Sequence, residues 1–369
     1  MHLSNESLRS SELYTPGLSR EFVARKWSVP LDEVAKLGSA ENPFGPSPKA
    51  LDAVLTAAQR IDIYPEWTAA PLREAIGARY GFDPRWVICG AGETEILSWL
   101  IRAYAGPGEK VLMYEPCFPI YFMAAEADAR VPVSVPMGST FEFRVDRYIE
   151  ALTDDIRIAF ITHPHSPSGK LMDEADIRRI CEASRGKLLV LDEAYIHFTR
   201  TDGCMHLARE FDHVIVLRTF SKAFGLAGLR AGFGIAHPDI LRPLMAIKPT
   251  WNMGQMQIAG AMAALGDNKH VERTVQMICE MREHVTERMA SLKNFRIVGN
   301  SRANFFMVEI LASHMDSTGV FDALLSKGVV VKDCSVSFRG LGKRYLRVDV
   351  SLQQHMDRFV DALSDLDAP

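Results

Sequence analysis

Several features that mark other protein classes are absent from this 369-residue sequence. Its six cysteines are scattered and form no Cys-x-x-Cys pair, so neither a metal site nor a disulfide framework is expected. No apolar run approaches the roughly 18 residues that a membrane-spanning helix needs, which predicts no membrane association. The net charge is -4, so the chain lacks the basic field typical of nucleic-acid-binding proteins.

The first 17 residues are polar and lack the apolar core of a secretory signal peptide. Together with the scattered thiols, this predicts a cytoplasmic location. Hydrophobic residues make up 47% of the chain and charged residues 24%, the balance of an ordinary globular protein. The length favours two packed lobes over a single core.

Short apolar runs alternate with helical patterns through the middle of the chain. The runs lie at 86–90, 110–116, 157–164, 187–195, 213–220 and 231–236. Several are apolar almost throughout, as is typical of parallel strands that are covered on both faces. The alternation predicts an α/β sheet whose strands are joined by crossover helices.

The last third of the chain has a different pattern. A long helical pattern spans about 255–292, with an interruption predicted near 266–270. Strand patterns follow at 295–299, 304–310, 329–333 and 345–351, with helical patterns at 319–328 and 353–366. We expect a smaller α+β domain there, with the irregular, proline-containing N-terminal arm packed onto a lobe. The predicted division is a large domain at 46–254, and a small domain formed by 1–45 and 255–369.

Four polar motifs each follow a predicted strand. They are "GAGETE" at 90–95, "HPHSPSG" at 163–169, "DEAY" at 192–195 and "TFSK" at 219–222. In an open α/β sheet, ligands bind at the carboxyl ends of the strands. The four motifs are therefore expected to meet in one site.

The residues around "TFSK" suit a ligand that carries both an aldehyde and a phosphate. Lys222 is the candidate for an imine bond, because desolvation lowers the pKa of a lysine and leaves a nucleophilic amine. Thr219 and Ser221 offer hydroxyl groups, and Arg230 offers a planar fork of donors suited to phosphate. A glycine-rich turn that opens a helix adds backbone N–H groups, at Gly92, Glu93 and Thr94.

Three further residues are suited to contact an aromatic ring of the ligand. Asp192 closes a buried strand, where a carboxylate can keep a ring nitrogen protonated and make the ring an electron sink. Tyr195 can donate to a phenol oxygen, and Phe118 can stack on a ring face. Aldehyde, phenol oxygen, ring nitrogen and phosphate are together the four groups of pyridoxal 5'-phosphate.

Each of these features alone has a simpler explanation. A lysine at a strand end is usually solvated, a glycine-rich turn often holds no phosphate, and Phe118 alone would be assigned to the core. "DEAY" alone fits a helix start with acidic first-turn residues. Their joint occurrence after four separate strands favours the cofactor site.

The motifs also match a known family in order and spacing. The chain resembles the class I/II aminotransferases of fold type I, nearest the histidinol-phosphate aminotransferase branch, over nearly its whole length. The matching motifs include "ENPFGPSP", "YPEWTAAPLREAI", "LDEAYIHF" and "TFSKAFGLAGLRAGF". The resemblance implies a large, mostly parallel seven-stranded sheet domain flanked by helices, and a smaller α+β domain. It also implies pyridoxal-phosphate-dependent transfer of an amino group between an amino acid, or an amine derived from one, and a 2-oxo acid.

The resemblance assigns a role to each candidate site residue. Lys222 becomes the Schiff-base lysine, Asp192 the partner of the ring nitrogen and Tyr195 the contact to the phenol oxygen. Residues that hold the cofactor phosphate would be Gly92, Glu93, Thr94, Thr219, Ser221 and Arg230, with Phe118 on the ring. The small-molecule substrate would meet Arg347 through its α-carboxylate, and Tyr14, Asn42 and Lys332 elsewhere. Tyr64 would reach the cofactor phosphate of the second subunit in a homodimer.

Three positions depart from the family pattern. Ser166 stands where the family has an asparagine that contacts the phenol oxygen, and Ala40 stands where it has another asparagine. Lys332 replaces a phosphate-binding arginine, and a lysine lacks the bidentate geometry of a guanidinium. These changes point away from histidinol phosphate as the substrate.

Alternatives to transamination also follow from the sequence. The segment at 332–348 looks more like the threonine-phosphate decarboxylases, so a decarboxylase on the same fold is the first alternative. A non-catalytic regulator would be expected to carry a helix-turn-helix segment, and none is visible. A nicotinamide-dependent dehydrogenase would require a G-x-G-x-x-G motif, and "GAGETE" lacks the third glycine.

Overall fold

The computed structural model of the protein describes residues 17–367, so the predicted substrate residue Tyr14 lies outside the described residues. Apolar runs of this part of the chain form the strands. In chain order they are β1 (Ala35–Lys36), β2 (Val87–Gly90), β3 (Lys110–Glu115), β4 (Val131–Pro136), β5 (Ile156–Thr162), β6 (Leu188–Asp192), β7 (Val214–Thr219), β8 (Gly232–Ala236), β9 (Phe295–Val298), β10 (Phe305–Ile310), β11 (Val329–Val330), β12 (Lys332–Asp333) and β13 (Tyr345–Asp349).

Helices connect and cover these strands. They are α1 (Arg20–Trp27), α2 (Pro48–Ala57), α3 (Ala70–Tyr80), α4 (Glu93–Tyr104), α5 (Ile120–Ala127), α6 (Val145–Glu150), α7 (Glu174–Ala183), α8 (Leu207–Glu210), α9 (Pro238–Ile247), α10 (Gln255–Leu265), α11 (Asn268–Met289), α12 (Ser317–Ser326), α13 (Cys334–Ser337) and α14 (Gln353–Asp367). Within residues 17–367 we find no helix with both the length and the apolar character needed to cross a membrane.

A seven-stranded sheet is the centre of the larger lobe, in the order β2-β8-β7-β6-β5-β3-β4. Strands β3 to β7 pair in parallel, and β8 runs antiparallel to both of its neighbours. Every residue of β6 and β7 is buried, which explains why both read as continuous apolar runs. The predicted mostly parallel, seven-stranded sheet is confirmed.

Strand β4 was missing from the strands that the apolar runs predict. It contains Pro132 and Pro136, and proline has no N–H group to donate to a neighbouring strand. The structure places β4 at the edge of the sheet, where it pairs only with β3. An edge strand tolerates proline because one side needs no donor.

The smaller lobe is built on a four-stranded antiparallel sheet in the order β12-β13-β10-β9. One predicted strand at 329–333 is in fact two, since β11 pairs with β1 while β12 pairs with β13. The predicted helix interruption falls between α10 and α11, at 266–267. The division at 46–254 remains a prediction.

The N-terminal arm is more regular than its sequence predicts, because residues 20–27 form helix α1. Ser19 caps this helix, its Oγ accepting a hydrogen bond of 3.2 Å from the N–H group of Phe22. Arg25 and Lys26 lie in the last turn, where a positive charge stabilises the helix dipole. The prediction of an irregular N-terminal arm was therefore wrong for residues 20–27.

Candidate active site

A cavity of about 230 Å³ lies at the carboxyl ends of β5, β6 and β7. Most residues that the sequence predicts for the cofactor line it. They are Glu93, Thr94, Phe118, Ser166, Asp192, Tyr195, Thr219, Ser221, Lys222 and Arg230. A larger cavity of about 840 Å³ elsewhere contains none of them. The four strand-end motifs therefore do meet in one place.

Lys222 points into this cavity from the loop after β7. Its Nζ donates a hydrogen bond of 3.2 Å to the carbonyl of Ser39 and lies 5.5 Å from the centroid of the Tyr195 ring. Burial, and then the positive charge of Arg347, lower the pKa of Lys222 to about 8. About a tenth of the amine is therefore neutral at pH 7, far more than for a solvated lysine, and the neutral amine is the form that attacks a carbonyl.

Asp192 is the last residue of β6, and both of its carboxylate oxygens accept hydrogen bonds. Oδ1 accepts one of 3.0 Å from the N–H group of Ala194, and Oδ2 accepts one from the hydroxyl of Tyr121. The carboxyl group of Glu93 is a buried neighbour. Burial, and then the charge of Asp192, raise the pKa of Glu93 well above its usual range.

The start of α4 lies at the end of the cavity that is predicted to hold the phosphate. Gly92 has a φ of +82°, and a Cβ atom there would lie 2.9 Å from Cζ of Arg230. Nη1 of Arg230 donates to Oγ of Ser221 at 3.4 Å. Only a glycine lets the guanidinium pack against the turn, and the unpaired N–H groups of the first helical turn complete an anion site.

Ser166 is almost fully buried, with an exposed fraction of 1%, and it lines the cavity. Its Oγ has no hydrogen-bond partner among residues 17–367. A buried hydroxyl without a partner is unusual and indicates a missing ligand group. With the amine, the carboxylate and the glycine turn, it completes a set of donors and acceptors that fits pyridoxal 5'-phosphate.

A short segment at 38–42 connects the cavity to the smaller lobe. The carbonyl of Ser39 accepts from Lys222, while the carbonyl of Gly38 accepts from Nη2 of Arg347 at 3.3 Å. The N–H group of Ala40 donates to the carboxylate of Asp349. Arg347 is thus held one residue away from the carbonyl that Lys222 contacts, although it does not line the cavity itself.

Asn42 was predicted to contact substrate, and the structure gives its amide two other partners. Nδ2 donates to the carbonyl of Ala223 at 3.1 Å, and Oδ1 accepts from the N–H group of Phe44 at 2.9 Å. The first of these bonds holds the backbone directly after Lys222, and the second fixes the turn that follows Asn42. The substrate contact of Asn42 remains a prediction.

Tyr64 lies outside the cavity of its own chain, with 74% of its surface exposed. Its ring stacks on Trp251, with the ring centroids 4.3 Å apart. An exposed aromatic pair of this kind is compatible with the predicted role of Tyr64 in a second subunit. That role remains a prediction.

The fold brings together one group of possible metal ligands that the sequence does not predict. His163, Glu193 and Cys204 are buried, and a ligand atom of each lies within 4.8 Å of the others. Both oxygens of Glu193 are already engaged, one by the N–H group of Cys204 and the other by Arg218. A cation would have to displace a buried guanidinium, so we assign no metal to this group.

Comparisons with solved structures define the class of protein. The histidinol-phosphate aminotransferase of Sinorhizobium meliloti, in complex with pyridoxal-5'-phosphate, has a TM-score of 0.88 and 23% identity, covering 100% of this chain and 98% of its own. The L-threonine-O-3-phosphate decarboxylase of Porphyromonas gingivalis has a TM-score of 0.81 and 20% identity, covering 90% and 99%. The fold is that of the fold type I, pyridoxal-phosphate-dependent transferases.

The family follows from the sequence. The model of the family "Aminotransferase class I and II" matches residues 32–363, and the chain belongs to this family. The histidinol-phosphate aminotransferase of Methanopyrus kandleri is 35% identical over 98% of this chain and 95% of its own length. The protein is therefore an aminotransferase that uses pyridoxal phosphate, as the resemblance implied.

Proposed function

We propose that the protein transfers an amino group between an amine that carries a second anionic group and a 2-oxo acid, with Lys222 as the residue that binds the cofactor. The observation that carries this proposal is the position of Lys222. Its amine, with a pKa lowered to about 8, shares one cavity with Asp192 and the glycine turn of α4. That arrangement provides a separate binding partner for the aldehyde, the ring nitrogen and the phosphate of the cofactor.

Each residue of the cavity has a separate task. Bound pyridoxal phosphate supplies an electron-withdrawing ring that stabilises negative charge on the substrate α-carbon. Asp192 holds the ring nitrogen protonated, and the turn at Gly92 with Arg230 fixes the phosphate end. Nζ of Lys222 takes the proton from the substrate α-carbon, as a general base with a pKa near the working pH.

Arg347 is proposed to bind the α-carboxylate of the substrate with two parallel hydrogen bonds. It lies beside the carbonyls at 38–39 that connect it to Lys222. By fixing the carboxylate, it would orient the substrate and so decide which bond of the α-carbon breaks. Loss of the α-proton would lead to transamination, and loss of the carboxylate to decarboxylation.

The proposed second anionic group follows from Lys332, which pairs with Arg347 across two antiparallel strands. Side chains at directly paired positions share a face, so both cations lie on one side of the small sheet. The Methanopyrus kandleri relative is named a histidinol-phosphate aminotransferase, which agrees with a phosphate as one of the anionic groups, but histidinol phosphate has no carboxylate to serve as the other. Decarboxylation is the second candidate, because residues 332–348 look like those of the threonine-phosphate decarboxylases.

A panel of amines tests both candidates. Purified protein with pyridoxal phosphate is mixed with histidinol phosphate, O-phosphothreonine, glutamate and aromatic amino acids, while visible absorbance and CO2 release are followed. We expect an amine with two anionic groups, such as O-phosphothreonine, to bleach the absorbance without CO2, and the Lys222→Ala variant to show neither change. Release of CO2 without bleaching would replace transamination by decarboxylation, and bleaching only by singly anionic amines would refute the second anionic group.

We further propose that the protein acts as a cytoplasmic homodimer in which Tyr64 completes the site of the second subunit. The exposed Tyr64–Trp251 stack supports this, and the six cysteines are all free, as expected in a reducing compartment.

Two inactive variants, Tyr64→Ala and Lys222→Ala, are unfolded together and refolded as a mixture. Mixed dimers contain one intact site, so partial recovery of activity is expected. No recovery from a mixture that is dimeric by sedimentation would contradict the role of Tyr64.

A further inference from the structure

Tyr121 is a buried tyrosine near the start of α5 that contacts two of the predicted cofactor-binding residues. Its hydroxyl donates a hydrogen bond to Oδ2 of Asp192. Its ring meets the ring of Phe118 edge to face, with the centroids 5.7 Å apart. Tyr121 does not line the cavity, so any effect on the cofactor has to pass through neighbours that do, namely Asp192, Phe118 and Thr162.

The direction of the hydrogen bonds around Tyr121 can be deduced. Its oxygen also lies 2.8 Å from Oγ1 of Thr162. The phenol has one proton, which goes to the carboxylate of Asp192, so Thr162 must donate to Tyr121. Burial, and then the charge of Asp192, raise the pKa of Tyr121 well above its usual range, so the phenol keeps its proton. The result is a chain of donors from Thr162 through Tyr121 to Asp192, in which each bond strengthens the next.

The packing around this chain leaves it little freedom. The ring of Tyr121 stacks on Phe160, with centroids 4.6 Å apart and an interplanar angle of 15°. Thr162 is the last residue of β5 and the direct register partner of Asp192 on β6. Two neighbouring strands hold Thr162 and Asp192, and the stacked ring of Phe160 holds Tyr121. The fold therefore sets the plane of the Asp192 carboxylate.

We propose that Tyr121 is a positioning residue that, supported by Thr162, orients the carboxylate of Asp192 toward the ring nitrogen of the cofactor. This inference rests on the proposed role of Asp192. Without the donor at Oδ2, the carboxylate would be freer to rotate away from the ring nitrogen. The ring nitrogen would then hold its proton less firmly, and the ring would withdraw electrons less strongly from the substrate.

The test compares Tyr121→Phe with a matched control, Tyr148→Phe. Tyr148 is also fully buried, but its hydroxyl donates to the carbonyl of Phe160 at 2.9 Å and makes no contact with Asp192. Each variant is loaded with pyridoxal phosphate, and the visible absorbance of the bound cofactor is titrated with pH. Turnover is measured at several substrate concentrations to separate kcat from KM.

For Tyr121→Phe we expect the midpoint of the absorbance titration to move to higher pH. We also expect kcat to fall roughly tenfold, the loss expected for a hydrogen bond to a charged group, while KM changes little. Tyr148→Phe should keep the titration and kcat of the wild type, whatever it does to thermal stability. Thr162→Val should move the midpoint in the same direction by less, and Thr162→Ser should restore the wild-type value.

Two results would overturn the inference. If Tyr121→Phe titrates and turns over like the wild type, Tyr121 does not act on Asp192. If Tyr121→Phe and Tyr148→Phe lose kcat equally with unchanged titrations, the hydroxyl is merely structural. A wild-type protein that gains no visible absorbance with pyridoxal phosphate would instead refute the proposed function, and this inference with it.

Discussion

Lys332 and Arg347 are direct partners across two antiparallel strands, with exposed fractions of only 7% and 6%. Both side chains are buried, and Arg347 forms an ion pair of 3.5 Å with Asp349. Together the two cations make a positively charged face that suits a substrate with two anionic groups. We therefore expect the two cations that the small sheet brings together to influence which substrate the protein accepts.

The first prediction tests this relationship with Lys332→Gln. Removing one buried cation should lower kcat/KM for doubly anionic amines by roughly 10- to 100-fold, the value of a charge-assisted hydrogen bond of about 1.5–3 kcal/mol. Amines with a single carboxylate should be affected less than threefold, on the order of a surface charge change. Steady-state kinetics on one phosphorylated and one unphosphorylated amine measure the difference.

A matched control for Lys332 is Lys343→Gln. Lys343 is an exposed lysine two residues before β13 that forms an ion pair of 3.3 Å with Asp316. Its removal should leave both substrates unaffected. Equal losses for both substrates in Lys332→Gln would mean that Lys332 only stabilises the fold.

The second prediction concerns the pH at which the protein takes up its cofactor. Because the neutral amine of Lys222 is the reactive form and its pKa is about 8, the rate of reconstitution should rise about tenfold per pH unit below pH 8 and level off above it. Stopped-flow absorbance after mixing cofactor-free protein with pyridoxal phosphate gives this profile.

Arg347→Gln extends this prediction, since the charge of Arg347 is one cause of the lowered pKa of Lys222. Without that charge the pKa of Lys222 rises, less amine is neutral at pH 7, and reconstitution should be slower there. Arg344→Gln, whose guanidinium bonds to the carbonyls of Leu311 and Ala312, is the control and should keep the wild-type profile. A midpoint above pH 10 in the wild type would show that Lys222 is solvated.

The third prediction separates backbone strain from steric overlap at the phosphate turn. Gly92 and Gly186 share a φ of +82°, but a Cβ atom would collide with Arg230 at Gly92 and would meet nothing within 4 Å at Gly186. Both alanine variants should lose stability from a positive φ, on the order of 1–3 kcal/mol, with the larger loss at Gly92 because its ψ of 160° is essentially restricted to glycine. Only Gly92→Ala should also lose affinity for pyridoxal phosphate, by more than roughly tenfold, because it displaces Arg230.

Equilibrium dialysis with pyridoxal phosphate, and thermal unfolding of the cofactor-free variants, measure these two effects. Equal cofactor affinities for Gly92→Ala and Gly186→Ala would place the phosphate elsewhere. An Arg230→Gln variant should weaken the cofactor in the same way as Gly92→Ala. The double variant should then be no worse than either single one, since both remove the same contact.

The fourth prediction concerns Ser166, whose buried hydroxyl has no partner among the described residues. In Ser166→Asn a longer side chain with an N–H donor should reach the phenol oxygen of the cofactor. Such a donor competes for that oxygen with the protonated nitrogen of Lys222, so the absorbance titration should move to lower pH. Ser166→Ala should move it little, and an upward shift in Ser166→Asn would contradict this assignment.

The sequence predicts the central sheet well because β5, β6 and β7 are apolar on both faces. It fails at β4, where two prolines conceal an edge strand, and at α1, where a short polar helix lacks a strong apolar pattern. It also fails at 329–333, because a continuous apolar run does not show that the chain changes sheets at Val331.

Similar reasons explain which residues of the candidate site could be predicted from the sequence. Asp192, Thr219 and Lys222 could be predicted because polar residues directly after apolar strands are conspicuous. Tyr121 and Thr162 could not, because a hydroxyl within or beside an apolar run looks like an ordinary core residue. Only the three-dimensional register of β5 with β6 and the packing of α5 bring their hydroxyls to Asp192.

The most direct test of the whole account is to locate the lysine that binds the cofactor. Protein loaded with pyridoxal phosphate is reduced with borohydride, which makes the bond to the lysine permanent, and is then digested and sequenced by mass spectrometry. We predict that the pyridoxyl group is found on Lys222 and that the Lys222→Ala protein carries none. A label on another lysine, such as the buried Lys248, or no label in the wild type, would contradict the proposed site.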